Sequence, residues 1–583
     1  MNPTFFWLDR ALCAGLGFLM VSTPLCAIES RDHLNVQEIE RPDYLPSPSD
    51  DSFQLPPVAP LSVPTPGTPA AFKVQQVIFR GNTAVPTPEL EAIAAPDIGR
   101  RMSLAELEHL RQRLTRHYVE LGYVNSGVLL AKETGALKDD ASGIVVVFDV
   151  LEGRLTTLRL RGMERLDDNY VARRLVKDAD GPLNMDRLRE RYQLLLSDPL
   201  FQRLNARLMP DVQLGEAILE VDVSRAKPYR MTLFANNYRP PSIGAEALGV
   251  SGWVRNLTGQ GDFLEASLQS PHQSVADSRL SLAWRMPIGH NGTEFSAALD
   301  HGRSSVIEEP MQVLNIRSIL DSRDFGISQT LLETLNHKLT LGLNHVNREN
   351  RTSLLGSLFS FNPGEPDGVT KEALWRFWQE ASTRSETQVL ALRSTFSFGK
   401  NNVQQTDETN KLPANSGTST STGAGLPQKN YQVWLGQAQY ARQVLGNGAQ
   451  VIIRGSIQRT AQKLLSLDGM SIGGVNTVRG YRENQLIRDN GETFSLEFDY
   501  PLLAQSANGL NLSIIPFYDH GRGQNRDEPA VSLSSWGMAS RIRWQGFNLD
   551  VAIAHRISPP ESVKSSANTL QDRGLHLNLS YSF

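Results

Sequence analysis

Cysteine is nearly absent: the 583 residues hold two, Cys13 and Cys26, both close to the amino end. Long apolar runs are as scarce, the single one covering residues 11–21, between a short polar start and Pro24-Leu25-Cys26-Ala27. This pattern reads as a secretory signal peptide of residues 1–27, since the run is shorter than the roughly 20 residues a spanning helix needs. Cleavage after Ala27 leaves a mature chain free of cysteine, which excludes disulfides, thiolate catalysis and cysteine metal sites together. No later segment reads as a spanning helix. A secreted chain of this kind is periplasmic, released, or inserted in the outer membrane as a closed β-barrel, the only other structure that satisfies every backbone group in lipid.

Charge of one sign is missing too. Lysine and arginine number 58 against 62 acidic residues, a net charge of -4, so there is no basic surplus to suggest nucleic acid as a partner. Catalytic signatures are lacking: no Gly-x-Ser-x-Gly elbow, His-Glu-x-x-His helix or phosphate-binding Gly-Lys loop is found. The 11 histidines are scattered. His520 adjoins Asp519, but neighbours on a strand face opposite ways and do not make a dyad. The expectation is a chain that is not an enzyme and needs no cofactor or metal.

What is present is organised in blocks. Residues 29–40 could form about three helical turns, with Leu34, Val36 and Ile39 as a poor apolar stripe. Residues 41–69 are rich in proline, which favours an extended, solvated linker. From residue 72 short strands alternate with helices. Residues 72–80 read as a strand closed by Gly81-Asn82, 88–98 as a short helix, and 103–121 as a longer one. In that helix Leu104, Leu107, Leu110, Leu114 and Leu121 follow helical spacing, Ser103 and Glu106 form a capping box, and Gly122 ends it. Strands at 128–132 and 144–150 complete a β-α-α-β-β unit. The order then repeats: a strand at 155–160 followed by Arg161-Gly162, helices at 168–176 and 185–196, and strands at 205–210 and 217–223.

Beyond residue 227 helical periodicity fades and strands of about ten residues recur. They are read at 263–268, 278–284, 294–300, 337–344, 431–440, 450–458, 492–500, 510–518, 535–544 and 548–557. In the 492–500 strand Phe494, Leu496, Phe498 and Tyr500 share one face, and Thr493, Ser495, Glu497 and Asp499 the other. A charge facing lipid is costly, so the acidic row belongs in the lumen. The last nine residues alternate without error, placing Leu575, Leu577, Leu579, Tyr581 and Phe583 on one face up to the carboxyl end. Residues 401–430 suit an external loop. Residues 371–383, with Trp375, Phe377 and Trp378, suggest a helix within a loop.

Two segments resemble a known family. Asn476-Thr477-Val478-Arg479-Gly480-Tyr481-Arg482-Glu483-Asn484 is similar to the Val-Arg-Gly-Tyr/Phe signature of the two-partner secretion transporters of haemolysin secretion/activation type. Phe517-Tyr518-Asp519-His520-Gly521 resembles the Phe-x-Asp-x-Gly strand motif of the wider barrel assembly and export superfamily. The repeats resemble its polypeptide-transport-associated (POTRA) domains, through Tyr118-x4-Tyr123-Val124 and Leu151-Glu152-Gly153-Arg154.

The resemblance implies a mainly β fold, with two small α/β POTRA domains (72–153 and 154–226) before a transmembrane antiparallel barrel of about 16 strands (227–583). Residues 28–71 would be a linker with a possible short plug helix. The chain would sit in the outer membrane with its POTRA domains in the periplasm, and export an unfolded exoprotein without ATP. Its partners would be a secreted adhesin or haemolysin-like protein carrying an amino-terminal secretion domain, membrane lipid, and the barrel assembly machinery during biogenesis. Arg479 would meet Asp519 inside the lumen, supported by Val478, Gly480, Tyr481, Phe517 and Gly521, with Tyr481 beside Phe517 and Gly521. Leu579, Tyr581 and Phe583 would form the carboxyl-terminal assembly signal. An open sheet edge at Val128, Leu129, Leu130, Ala131 and Lys132 is the expected client-binding edge, since strand addition tolerates varied sequence. The alternative is a barrel assembly factor, whose relatives usually carry three or more POTRA units; a passive porin would have no reason for the repeats.

Overall fold

The computed structural model describes residues 43–45, 53–54, 71–131, 143–176, 181–274, 276–289, 291–362, 364–404, 426–504, 509–526, 528–558 and 568–583. The signal peptide, residues 29–40, most of the proline-rich segment, Lys132 and most of the 401–430 stretch lie outside the described residues. The chain divides into two compact units, one of residues 47–228 with 259–261, the other of residues 1–46, 229–258 and 262–583.

The first of these holds both repeats, preceded by a two-residue strand β1 (Phe53–Gln54). Repeat one runs β2 (Ala71–Arg80), α1 (Thr87–Ala94), β3 (Arg101–Ser103), α2 (Leu104–Glu120), β4 (Gly127–Leu130) and β5 (Ile144–Leu151), with sheet order β3-β2-β5-β4. The short β3 was not legible in the sequence. Repeat two runs β6 (Arg154–Arg161), α3 (Asp168–Leu175), α4 (Met185–Leu196), β7 (Phe201–Pro210) and β8 (Glu216–Arg225), with order β1-β7-β8-β6.

Helix α2 forms where its sequence supplies both a start and a buried face. The Ser103 hydroxyl accepts from the Glu106 amide while the Glu106 carboxylate accepts from the Ser103 amide, satisfying two end donors for about 1 kcal/mol. Leu107, Leu110, Leu114 and Tyr118 are buried against the sheet; Leu104 and Leu121 of the same expected stripe are exposed. The Leu-Glu-Gly-Arg motif has a physical role. Glu152 accepts from the amides of Thr83 and Ala84, both at 2.7 Å, and from the Tyr118 hydroxyl at 3.2 Å. A side chain at Gly153 would collide with Asn125. Burial, reinforced by the Glu152 carboxylate, raises the Tyr118 pKa and keeps the hydroxyl a donor.

The second unit contains a closed antiparallel barrel. Its strands are β9 (Tyr229–Asn236), β10 (Ala247–Arg255), β11 (Phe263–Pro271), β12 (Arg279–Ile288), β13 (Thr293–Ser305), β14 (Arg317–Glu333) and β15 (His337–Leu354). A two-residue β16 (Ser357–Leu358) folds back antiparallel on the end of β15, and then follow β17 (Val369–Arg384), β18 (Gln388–Asn401), β19 (Asn430–Gln443) and β20 (Gln450–Arg459). An inner hairpin of β21 (Met470–Ile472) and β22 (Leu486–Arg488) interrupts the wall, which resumes with β23 (Asn490–Leu503), β24 (Asn511–Gln524), β25 (Val531–Trp544), β26 (Phe547–Arg556) and β27 (Leu575–Ser582). Leaving out β16 and the inner hairpin, 16 strands close the wall, β27 pairing with β9.

Side chains sort by face as the alternation demands. On β23, Phe494 and Leu496 are exposed to the outside while Ser495, Glu497 and Asp499 are buried inward. On β27, Leu579 and Tyr581 face outward and His576 is fully buried. Phe583 beyond it exchanges two backbone hydrogen bonds with Met231, so the last residue helps to close the seam. Residues 371–383 are not a helix in a loop but the body of β17. There Trp375 and Phe377 face outward, while Trp378 turns inward, donates to Asn344 at 2.8 Å and covers Gly342. Two outward aromatics and one inward one had imitated helical spacing.

Candidate functional site in the barrel lumen

Residues 460–489, between β20 and β23, fold inside the wall around the β21–β22 hairpin, which pairs Met470 with Arg488. Left-handed backbone at Gly473 (φ 108°), Gly474 (φ 101°) and Gly480 (φ 92°) turns the tip tightly. A side chain at Gly474 would strike the Glu483 carboxylate, whose Oε1 accepts from the Val475 amide at 2.6 Å. The tip is therefore tied to itself before it touches the wall.

Arg479 is the main contact with the wall. Its Nε donates to Asp519 Oδ2 at 2.7 Å and its Nη2 to Oδ1 at 2.8 Å, the parallel fork that a guanidinium and a carboxylate allow. The Arg479 amide also donates to Asp519 Oδ2, at 3.1 Å, and Nη2 reaches Ser495 Oγ at 3.2 Å. Nη1 pairs with Glu497 at 2.7 Å, and Arg454 pairs with the same carboxylate. Two cations and two anions thus share one buried site, in keeping with the rule that a buried charge must be paired. Phe517 covers the cluster, its ring 3.5 Å from the Arg479 guanidinium carbon, a cation–π stack.

The motif residues divide the remaining space. Val478 and Ile472 sit against Gly521, where any side chain would displace them. Tyr481, expected beside Phe517 and Gly521, lies in the cluster of Met470, Ile472, Val478, Leu486 and Leu533, separate from the Phe517 cluster, its hydroxyl reaching the carbonyl oxygens of Ser534 and Ser558. Leu533, which stands opposite Gly521 on the next strand, supplies apolar contact in that cluster. His520 points away from Asp519 and lies 2.8 Å from Ser534 Oγ.

Several partners escaped the sequence reading. The Gly480 amide donates to His576 Nε2 at 2.9 Å, and Arg556 donates to the Gly480 carbonyl. Arg482 bridges Glu308 at 2.9 Å and Asp572 at 2.6 Å, tying three loops. Burial opposes ionisation of Asp572, but the Arg482 guanidinium outweighs it and lowers the pKa. Gln571 accepts from the Glu483 amide and donates to the carbonyls of Asn237 and Arg239. These partners lie more than 70 residues from the tip, so only the polar face of the last strand, which carries His576, offered a signal.

The expected client edge is less open than expected. β4 ends its sheet, but the Val128 amide donates to Thr115 Oγ1 at 3.1 Å, and the Val128 carbonyl accepts from Arg111 at 2.9 Å. Helix α2 has thus taken the outward groups of that residue. Leu129 is exposed, Leu130 half-buried and Ala131 buried. At the other repeat, β1 lies parallel on β7, with Phe53 opposite Ala206.

Comparison with known proteins gives consistent matches. A family profile described as haemolysin secretion/activation protein ShlB/FhaC/HecB matches residues 215–543, and one for the ShlB-type POTRA domain matches residues 72–153. The heme/hemopexin transporter protein HuxB of Haemophilus influenzae is 23% identical over 469 residues, 78% of this chain and 76% of the relative. The outer membrane transporter CdiB of Dickeya dadantii is 22% identical over 533 residues, 84% of this chain and 83% of the relative. Among solved structures, CdiB from Escherichia coli aligns with a TM-score of 0.66 at 17% identity, covering 90% of this chain and 93% of that one.

Proposed function

Because the chain belongs to the ShlB/FhaC/HecB haemolysin secretion/activation family of outer-membrane, two-partner secretion transporters, we propose that it captures one unfolded exoprotein at its POTRA sheets and passes it through the barrel, with Arg479 and Asp519 locking the inner loop at rest. The observation that carries the lock is the Arg479–Asp519 fork, buried on the inner wall and made by a loop folded inside the barrel. A loop held there must move before a polypeptide passes, and Arg479 is its charged tie to β24. The chain's own β1 on the β7 edge supports capture by strand addition, since an extended segment already hydrogen-bonds there without a packed core of its own. The exoprotein is of adhesin or haemolysin type, and folding outside the cell supplies the pull.

The test is a comparison of the culture medium and the outer-membrane proteome with the chain present, deleted, or carrying Arg479→Ala. Loss of one large exoprotein in both the deletion and the variant, with other barrels unchanged, supports a dedicated exporter gated at Arg479. General loss of outer-membrane barrels makes the chain an assembly factor instead. Full export by Arg479→Ala removes the lock from the reading.

A further inference from the structure

A second buried charge cluster lies at the root of the inner loop, away from the signature motifs. Arg348 on β15, Glu372 on β17 and Tyr431 on β19 project into the lumen and meet Asp468, two residues before β21. Arg348 Nη2 donates to Asp468 Oδ1 at 2.8 Å, and its Nη1 reaches the Leu467 carbonyl at 3.4 Å and Glu372 Oε2 at 3.6 Å. The Tyr431 hydroxyl donates to Glu372 Oε1 at 3.3 Å. The Arg348 and Glu372 side chains are 1% and 0% exposed. Around them, Gln458 donates to the carbonyls of Asp468 and Asp489, and the Asp489 carboxylate accepts from the Leu464 amide.

Counting from β9 without β16, β15, β17 and β19 are the seventh, eighth and tenth strands, whereas β23 and β24 at the Arg479 site are the twelfth and thirteenth. The loop is therefore held at two points on separate arcs of the wall. Arg376, buried on the same β17, adds a second guanidinium near Asp468, and buried charges of this kind are tolerated only where they are paired. On the wall Arg348 reaches Glu372 only at 3.6 Å, and its closest hydrogen bond, at 2.8 Å, is turned toward Asp468 of the loop.

We propose that Arg348 is a positioning residue that grips the root of the inner loop through Asp468, with Glu372 competing for the same guanidinium, so that the tip leaves Asp519 by pivoting about a root that stays anchored. This rests on the reading of the loop as the gate. The two carboxylates then act in opposite directions: Asp468 fastens the root and Glu372 loosens it. A cluster that only braced the wall would respond alike to both removals.

The test uses the full chain in outer membranes; no cysteine follows Cys26 in the sequence. Leu465→Cys, at a position 2% exposed in the root, is labelled with a small water-soluble maleimide in three backgrounds: otherwise unchanged, Asp468→Ala and Glu372→Ala. Barrel folding is checked by heat-modifiable migration, and exoprotein in the medium is measured in parallel. The labelling rate should be slow in the unchanged chain, rise about tenfold or more with Asp468→Ala, the factor for one lost charged hydrogen bond, and stay slow with Glu372→Ala. Fast labelling in the unchanged chain, or an equal rise in both variants, overturns the proposal. So does loss of folding in both variants alike, which would make the cluster structural. Export that continues when the whole chain is deleted would overturn the transport reading, an outcome separate from any labelling result.

Discussion

A Cβ added at Gly480 would stand 2.7 Å from the Cβ of Ala554 on β26, so the tip of the inner loop passes the barrel wall at a distance only glycine permits. The residue also sits at φ 92°, which L side chains rarely adopt. Gly480→Ala should strain the docked tip by about 1–3 kcal/mol without touching the wall's own pairing. The expected outcome is a folded, heat-modifiable barrel with exoprotein in the medium reduced about tenfold, the factor for roughly 1.4 kcal/mol. Normal export would show that the tip has room the structure does not give it.

Arginine is required at position 479 for its shape as well as its charge. Its five donors serve Asp519, Ser495 and Glu497 at once, whereas an ammonium cannot reproduce the parallel fork. Arg479→Lys should therefore impair export nearly as much as Arg479→Ala. Removing one partner of a buried pair costs about 3–5 kcal/mol, so Asp519→Asn should match either variant. An export assay that finds the lysine variant fully active would reduce the site to a point charge.

Asn184 joins the two POTRA repeats. Its Oδ1 caps α4 by accepting from the amides of Asp186 and Arg187, and its Nδ2 donates 2.9 Å to the Leu121 carbonyl at the end of α2. Asn184→Ala should lose about 1 kcal/mol from the cap and free the joint. Limited proteolysis of the purified full chain should then cut sooner between the two repeats, with the barrel fragment left intact.

The loop contact at Asp572 should respond to acid. Arg482 lowers the folded pKa of Asp572 below its ordinary 3.8, so the pair contributes at pH above 3.8 and is lost as the pH falls through the lowered value. In planar bilayers, conductance of the unchanged chain should rise in that acidic window. Asp572→Asn should show the raised conductance already at neutral pH and little further change on acidification.

Local order was legible wherever one face of an element meets one environment. The capping box and the buried leucines of α2, the acidic row of β23 and the alternation to Phe583 depend on periodicity alone, which the residues themselves carry. β9, β10, β14 and β18 offered no strand reading in the sequence, and β17 imitated a helix. The motif around Arg479 and Asp519 could be named by resemblance, and the strand's alternation placed Asp519 inward.

Tertiary structure decided the rest. That Tyr481 turns to Leu533 rather than Phe517, that Arg482 gathers Glu308 and Asp572, and that Arg348 reaches Asp468 across 120 residues follow from closure of the wall. A strand's pattern states which face a residue takes, but not which strand stands across the lumen. That distance is set only when β27 meets β9 and the loop is enclosed.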